Sequence, residues 1–310
     1  MADKKATRES YGMALCELGK KYDILVMDAD LSGATKTNTF SKQFPEKFIN
    51  TGIAEGNMMT TAAGLATTGK TVFASTFAIF AAGRGFEQIR NSIAYPKLNV
   101  KVCATHAGIS VGEDGATHQA IEDLALMRSV PNMVVLNPAD HYETLAVLDT
   151  IVNYNGPCYV RLGRLAAPII YDENYKFEIG KSSTLKTGND VTIIATGLMV
   201  SYALEAADKL KEEGIDARVI NMASIKPLDE EAVIKAAKET GAIVTVEEHS
   251  IIGGLGGAVC EVLSENCPVK VKRIGVEDRF GQSGKPDALM AEYGLTTDNI
   301  VAQVKKIINK

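Results

Sequence analysis

The 310 residues carry 33 basic and 38 acidic side chains, a net charge of −5, with 46% apolar and 23% charged residues. That balance belongs to a globular chain, large enough for two domains, and excludes disordered and membrane-array classes; without a basic run, nucleic acid is not an expected partner. No apolar stretch is long enough to span a bilayer, the start has no signal-peptide core, and five scattered cysteines without CxxC spacing read as reduced, so a cytoplasmic location is expected.

From the amino end, "DILVMDAD" (23–30) is the first buried strand, and "KFINTGI" is a short apolar strand leading to Glu55. The small-residue stretch "NMMTTAAGLATTG" then has helical periodicity. Strand "KTVFAST" (70–76) is followed by helical "AAGRGFEQIRNSIAY", and strand "NVKVCATH" (99–106) by a polar loop and helical "QAIEDLALMRS". "NMVVLNP" (132–138), helical "DHYETLAVLDTIVN" and strand "PCYVRLG" (157–163) close the first series. Strand–helix alternation predicts an α/β fold with a mostly parallel sheet flanked by helices. Residues 166–190 break the rhythm and read as a linker. A second alternating series runs from "VTIIATG" through "VSYALEAADKLKEEG", "DARVINM", "DEEAVIKAAKETG", "AIVTVEE" and "GGAVCEVLSE" to "PVKVKRIG". The expected division is a first domain over 1–166, a linker over 167–189 and a second α/β domain over 190–310.

In open parallel sheets, ligands gather at the carboxyl ends of strands. Asp28–Asp30, Thr76–Phe77, His106, Asn137 and Arg161–Arg164 all fall there in the first domain. Two of the four histidines, His106 and His118, bracket the loop "GEDGA". Their long spacing gives no metal-binding core. As a turn, the loop lets Asp114 cap a helix beginning near Thr117–Gln119; as a site, it offers imidazoles and a carboxylate for holding hydroxyls and moving protons. Glu55 sits among Ile53, Gly56 and Met58, where a poorly solvated carboxyl favours its neutral form or a strong hydrogen bond. A first-turn glutamate that complements the helix dipole is the equal alternative. Phe77 and Phe80 read as core or as a platform for a flat ring; Arg161 and Arg164 read as a surface ion pair or a phosphate clamp. The glycine run "IIGGLGGAVCEV" lacks both nucleotide-loop patterns and reads as close helix–strand packing.

Taken together, "IAEGNM", "STFAIFAAGRGFEQIR", "GEDGATHQAIEDLALMRSVPNM", "VRLGRLAAP", "IKPLDEE" and "VEEHSIIGGLGGAV" resemble the transketolase family of thiamine-diphosphate enzymes, over nearly the whole chain and in family order. The resemblance covers the pyrimidine-binding and carboxy-terminal domains. The amino-terminal domain, with the GDG…N motif that holds Mg²⁺ and the diphosphate, has no counterpart. This implies the carboxy-terminal (β) subunit of a split transketolase of the pentose phosphate pathway, paired with an amino-terminal subunit as α₂β₂. It also implies two-carbon ketol transfer from a ketose phosphate to an aldose phosphate. By the same resemblance, Glu55 hydrogen-bonds a pyrimidine ring nitrogen of thiamine diphosphate and promotes the imino tautomer that deprotonates the thiazolium carbon. Phe80, paired with Phe77 because the match shifts by one residue after it, stacks on the aminopyrimidine. Asp114 and His118 meet donor hydroxyls, with His118 moving protons; His106 and Arg164, with Arg161, face the substrate phosphate. The family's second phosphate arginine has no match in "DADLSGATKTNTF", where Lys36 is the substitute, and Gly56 stands where many members have histidine. Alternatives are a deoxyxylulose-phosphate-synthase-like subunit, a 2-oxo-acid dehydrogenase β subunit, a specialised ketol transferase subunit and a non-catalytic partner subunit.

Overall fold

Strands apolar on both faces belong in the middle of a helix-covered parallel sheet, and "TVFASTF" and "VKVCAT" are buried almost throughout. The computed structural model describes residues 3–309. Among these residues, fourteen strands form three sheets: β1 (Lys4–Ala6), β2 (Ile24–Asp28), β3 (Phe48–Asn50), β4 (Thr71–Phe77), β5 (Val100–Thr105), β6 (Val134–Leu136), β7 (Cys158–Arg161), β8 (Ala166–Pro168), β9 (Ser183–Lys186), β10 (Val191–Ala195), β11 (Ala217–Asn221), β12 (Ser224–Lys226), β13 (Ala242–Ser250) and β14 (Lys270–Val276).

The first large sheet has the order β12-β6-β7-β5-β4-β2-β3 and is parallel except for β12. The second has the order β14-β13-β10-β11-β9 and is parallel except for the edge strand β9. A short antiparallel pair, β1 with β8, ties the amino end to the stretch after β7. Strand–helix alternation thus gives mostly parallel sheets flanked by helices, as the apolar runs imply. The stretch expected as a linker carries structure of its own: β8 joins β1, and β9 forms an edge of the second sheet.

β12, in "SIK" of the second series, crosses back to pair with β6 of the first sheet. One core cluster accordingly runs from Met27, Val72 and Val102 through Met133 and Val135 to Met222, Ile225 and Val233. The helices expected between the strands are present, with two refinements, and further helices at Thr7–Lys21, Pro286–Glu292 and Thr297–Ile307 lie in segments not read as helical. The helix after the loop begins only at Asp123, and "FAAGR" and "IRNSIA" are wound as π-helix. Among the described residues, no helix is long and apolar enough to cross a membrane, and the five cysteines are free.

The chain runs from β2 to the edge at β3, then returns past β2 to β4. Such a reversal at the carboxyl ends of β2 and β4 is the point where open α/β sheets take ligands.

Candidate active site

Glu55 opens the helix Glu55–Ala66 that follows β3, and only 4% of it is exposed. Its two carboxylate oxygens lie 3.3 and 3.5 Å from Nη1 of Arg84, whose side chain is 57% exposed. The burial expected from its apolar neighbours is present, and the partner is an arginine that the sequence reading passed over. The Arg84 guanidinium also sits 4.3 Å from the centre of the Phe80 ring. Phe80 stacks with Phe77 at 5.8 Å and 14°, and Phe77 stacks on the His106 imidazole at 3.9 Å and 25°. His118 presents its ring edgewise to Phe80 at 5.3 Å and to Phe77 at 6.2 Å. An unbroken line of contacts therefore joins Glu55, Arg84, Phe80, Phe77 and His106. Phe77, buried at 7% exposure, and Phe80 thus stack on one another against the two histidine rings.

His106 follows β5 and is nearly buried. Burial, then the positive charges of Arg8, Arg164 and Lys36, push its pKa down to about 3, so the imidazole stays neutral. Nε2 lies 3.5 Å from Arg8 Nη1 and Nδ1 lies 2.9 Å from Thr105 Oγ1. A guanidinium can only donate, so Nε2 is the acceptor and Nδ1–H donates to Thr105. Arg8 itself donates to Ala34 O at 2.9 Å. Arg8, Lys36 and Arg164 thus form a cationic group around a neutral histidine. Arg8 stands in the first helix, Thr7–Lys21, rather than after β2, where an arginine was expected and not found. One signal was available, because Arg8 is the only arginine before Arg84.

The polar loop is a 3₁₀ segment, Ile109–Asp114, held from both domains. Ser110 N donates to Glu248 Oε1 at 2.6 Å. Gln119 Nε2 donates to the carbonyls of Ile109, Gly112 and Gln282 at 3.1, 3.3 and 3.0 Å. Gly108, at φ +85°, passes so close to Glu248 that a Cβ would run into the carboxylate. Asp114 is exposed at the end of this segment. It caps no helix, since the next one starts nine residues later at Asp123. His118 Nδ1 shares a 2.9 Å hydrogen bond with Thr117 Oγ1, which leaves Nε2 for a ligand. Arg164 donates to Val111 O and lies 3.4 Å from Glu113.

Arg161 corrects one expectation. It is 4% exposed, with Nε donating to both oxygens of Asp123 at 3.2 and 2.9 Å and Nη2 donating to Ala120 O and Glu248 O at 3.1 and 2.9 Å. Burial pulls its pKa down, but the charges of Asp123 and Glu248 outweigh that and raise it. Its guanidinium is committed between the two domains and is not part of a phosphate clamp. The glycine run is equally structural: Glu247 fills the amino end of helix Leu255–Asn266, accepting from Leu255 N and Gly256 N at 2.7 Å each. Among the described residues, no three His, Cys, Asp or Glu side chains come together as a metal site.

The geometry defines a two-domain α/β protein that gathers a buried carboxylate, a stacked aromatic pair and a cationic group at its strand ends. Residues 3–169 match the model of the transketolase pyrimidine binding domain, and residues 180–300 that of the transketolase C-terminal domain. The putative transketolase C-terminal section of Methanocaldococcus jannaschii is 56% identical over 99% of this chain and 97% of its own length. A Clostridium protein named 6-deoxy-6-sulfo-D-fructose transketolase subunit SqwH is 44% identical over 98% of this chain and 94% of its length. A solved structure described as a split gene transketolase, inactive beta4 tetramer, superposes with a TM-score of 0.91 at 55% identity, covering 99% of both chains. The chain belongs to the transketolase family.

Proposed function

We propose that this chain is the β subunit of a split transketolase that moves a two-carbon ketol unit from a ketose phosphate to an aldose phosphate. It works in the cytoplasm, in an α₂β₂ assembly with an amino-terminal subunit. The names of its relatives support the division of labour: one is a C-terminal section, and a solved neighbour is an inactive tetramer of β chains. The partner's GDG…N motif is to hold Mg²⁺ and the diphosphate of thiamine diphosphate, and this chain its aminopyrimidine. When bound, the cofactor supplies an acidic ring carbon that adds to a ketose carbonyl and stores the electron pair released as the carbon–carbon bond breaks.

One observation carries the reading. A flat, hydrogen-bonding cation, the Arg84 guanidinium, already bridges the Glu55 carboxylate and the Phe80 ring. A flat heterocycle with ring nitrogens can make the same two kinds of contact. Glu55 binds and orients that ring through a ring nitrogen, Phe80 stacks on it, and Phe77 backs Phe80. His118, with Nε2 uncommitted, takes and returns a proton at a donor hydroxyl, and Asp114 accepts from another hydroxyl. Arg8, Lys36 and Arg164 hold the terminal anion of the sugar, while neutral His106 orients Arg8 without adding charge. A phosphate is the proposed anion. The sulfo-sugar name of the Clostridium relative makes a sulfonate the comparison to run.

The test is kinetic. In the reconstituted assembly, Glu55→Gln should lower kcat for xylulose 5-phosphate plus ribose 5-phosphate by about 10²-fold or more. Full activity of Glu55→Gln would overturn the role given to this carboxylate.

A further inference from the structure

Arg84 holds, with one side chain, both contacts that the cofactor reading gives to the pyrimidine. Gly85 N donates to Phe80 O at 3.1 Å, the i→i+5 bond of the π-helical turn Phe80–Arg84. Arg84 stands four residues after Phe80 in this turn, with its guanidinium over the Phe80 ring. The one-residue shift after Phe80 in the match to the family falls at this turn.

The guanidinium carbon lies 4.3 Å from the ring centre, and Nη1 reaches both Glu55 oxygens. Glu55 is almost wholly buried, whereas Arg84 is more than half exposed. The arginine is therefore the exposed partner of a buried carboxylate. A guanidinium is flat, stacks on aromatic faces and donates hydrogen bonds, which are the properties a ring needs in order to sit there.

We infer that Arg84 is a resident occupant of the pyrimidine site, closing it in the chain without cofactor and swinging out to solvent when the aminopyrimidine enters. The inference rests on the cofactor reading above. Its logic is competitive. Without Arg84, Glu55 would wait as an unpaired buried carboxylate, which is strongly destabilising. With Arg84, the cofactor must displace an ion pair and a stacked cation, each weak because the arginine is exposed. Arg84 thus lowers apparent cofactor affinity without blocking entry.

The test is calorimetric titration of thiamine diphosphate, with Mg²⁺, into the reconstituted assembly carrying wild-type chain, Arg84→Met, Arg84→Lys or Glu55→Gln. Arg84→Met should bind about 3- to 10-fold tighter than wild type, Arg84→Lys tighter by a smaller factor, and Glu55→Gln more weakly. Thermal unfolding supplies a second readout: Arg84→Met should melt below wild type without cofactor, and the gap should close at saturating cofactor. If Arg84→Met fails to fold, Arg84→Lys, which loses the flat stacked group and keeps the charge, carries the same comparison. Unchanged or weaker binding by the arginine variants, with weaker binding by Glu55→Gln, would overturn the occupant role and leave the cofactor reading standing. Unchanged binding in all variants would overturn both.

Discussion

Among the described residues, removing the Arg161 guanidinium would leave Asp123, 1% exposed, with only the Tyr159 hydroxyl donating to its carboxylate at 2.8 Å. Arg161→Met should therefore cost about 3–5 kcal/mol of stability, read from urea unfolding. Arg164 is partly exposed, so Arg164→Ala should change stability by less than about 1 kcal/mol. It should instead raise KM for a phosphate-bearing donor by roughly tenfold, with kcat within a few-fold. Sequence spacing gives these two arginines the same appearance. What separates them is a carboxylate 38 positions upstream of Arg161 that the fold brings against one of them. Arg8 escaped notice for a related reason, since a first-helix residue shows no link to a loop nearly a hundred positions later. His106 adds a pH statement. With its pKa pushed down to about 3, it should remain neutral across pH 5–9 in an NMR titration and contribute no step to the activity profile there.

At the scale of elements, the join between the sheets rests on Glu143 in the helix His141–Asn153. Its carboxylate is fully buried and accepts from Ala139 N at 2.7 Å, Tyr175 OH at 2.9 Å and Asn221 Nδ2 at 2.8 and 2.9 Å. Burial pushes its pKa up to about 7, the hydrogen bonds offsetting only part of that, and nearby Asp140 works in the same direction. A folded-state pKa above the unfolded one means that the folded state binds more protons in between. This contribution is present in full below about pH 4.3, the unfolded value, and is lost as pH rises through about 7. Thermal stability should thus fall as pH rises from about 4.3 to about 7, with buried Glu248, also raised, adding to the slope. Glu143→Gln should flatten the fall; a slope equal to wild type would contradict this assignment. The strands were legible because β4 and β5 are apolar on both faces. β12 was not, because "SIK" is three residues long and its partner β6 lies in the other series. The π-helical turns show in the sequence only as a one-residue shift against the family.

For the whole molecule, the second domain does more than stack on the first. Glu248 and Gln282 hold the loop that carries Asp114 and His118. Pro286 and Ser283 lie close against Gly112 and Gly115 of that loop. Shortening Glu248 to Ala should accordingly raise donor KM through loop disorder, seen as faster amide exchange at Ser110. The two-domain order and the likeness to half of a larger family architecture were legible because long motifs keep their order along the chain. The loop's support was not, because it is made by contacts across more than 130 residues. On the proposed function, two-carbon transfer requires this chain and a separate diphosphate-binding subunit together. The most direct measurement is transfer from xylulose 5-phosphate to ribose 5-phosphate, with thiamine diphosphate and Mg²⁺, for each subunit alone and for mixtures of increasing ratio. Activity should be absent from either subunit alone and should rise to a plateau at a one-to-one ratio; activity of this chain by itself, or none in the mixture, would contradict that requirement.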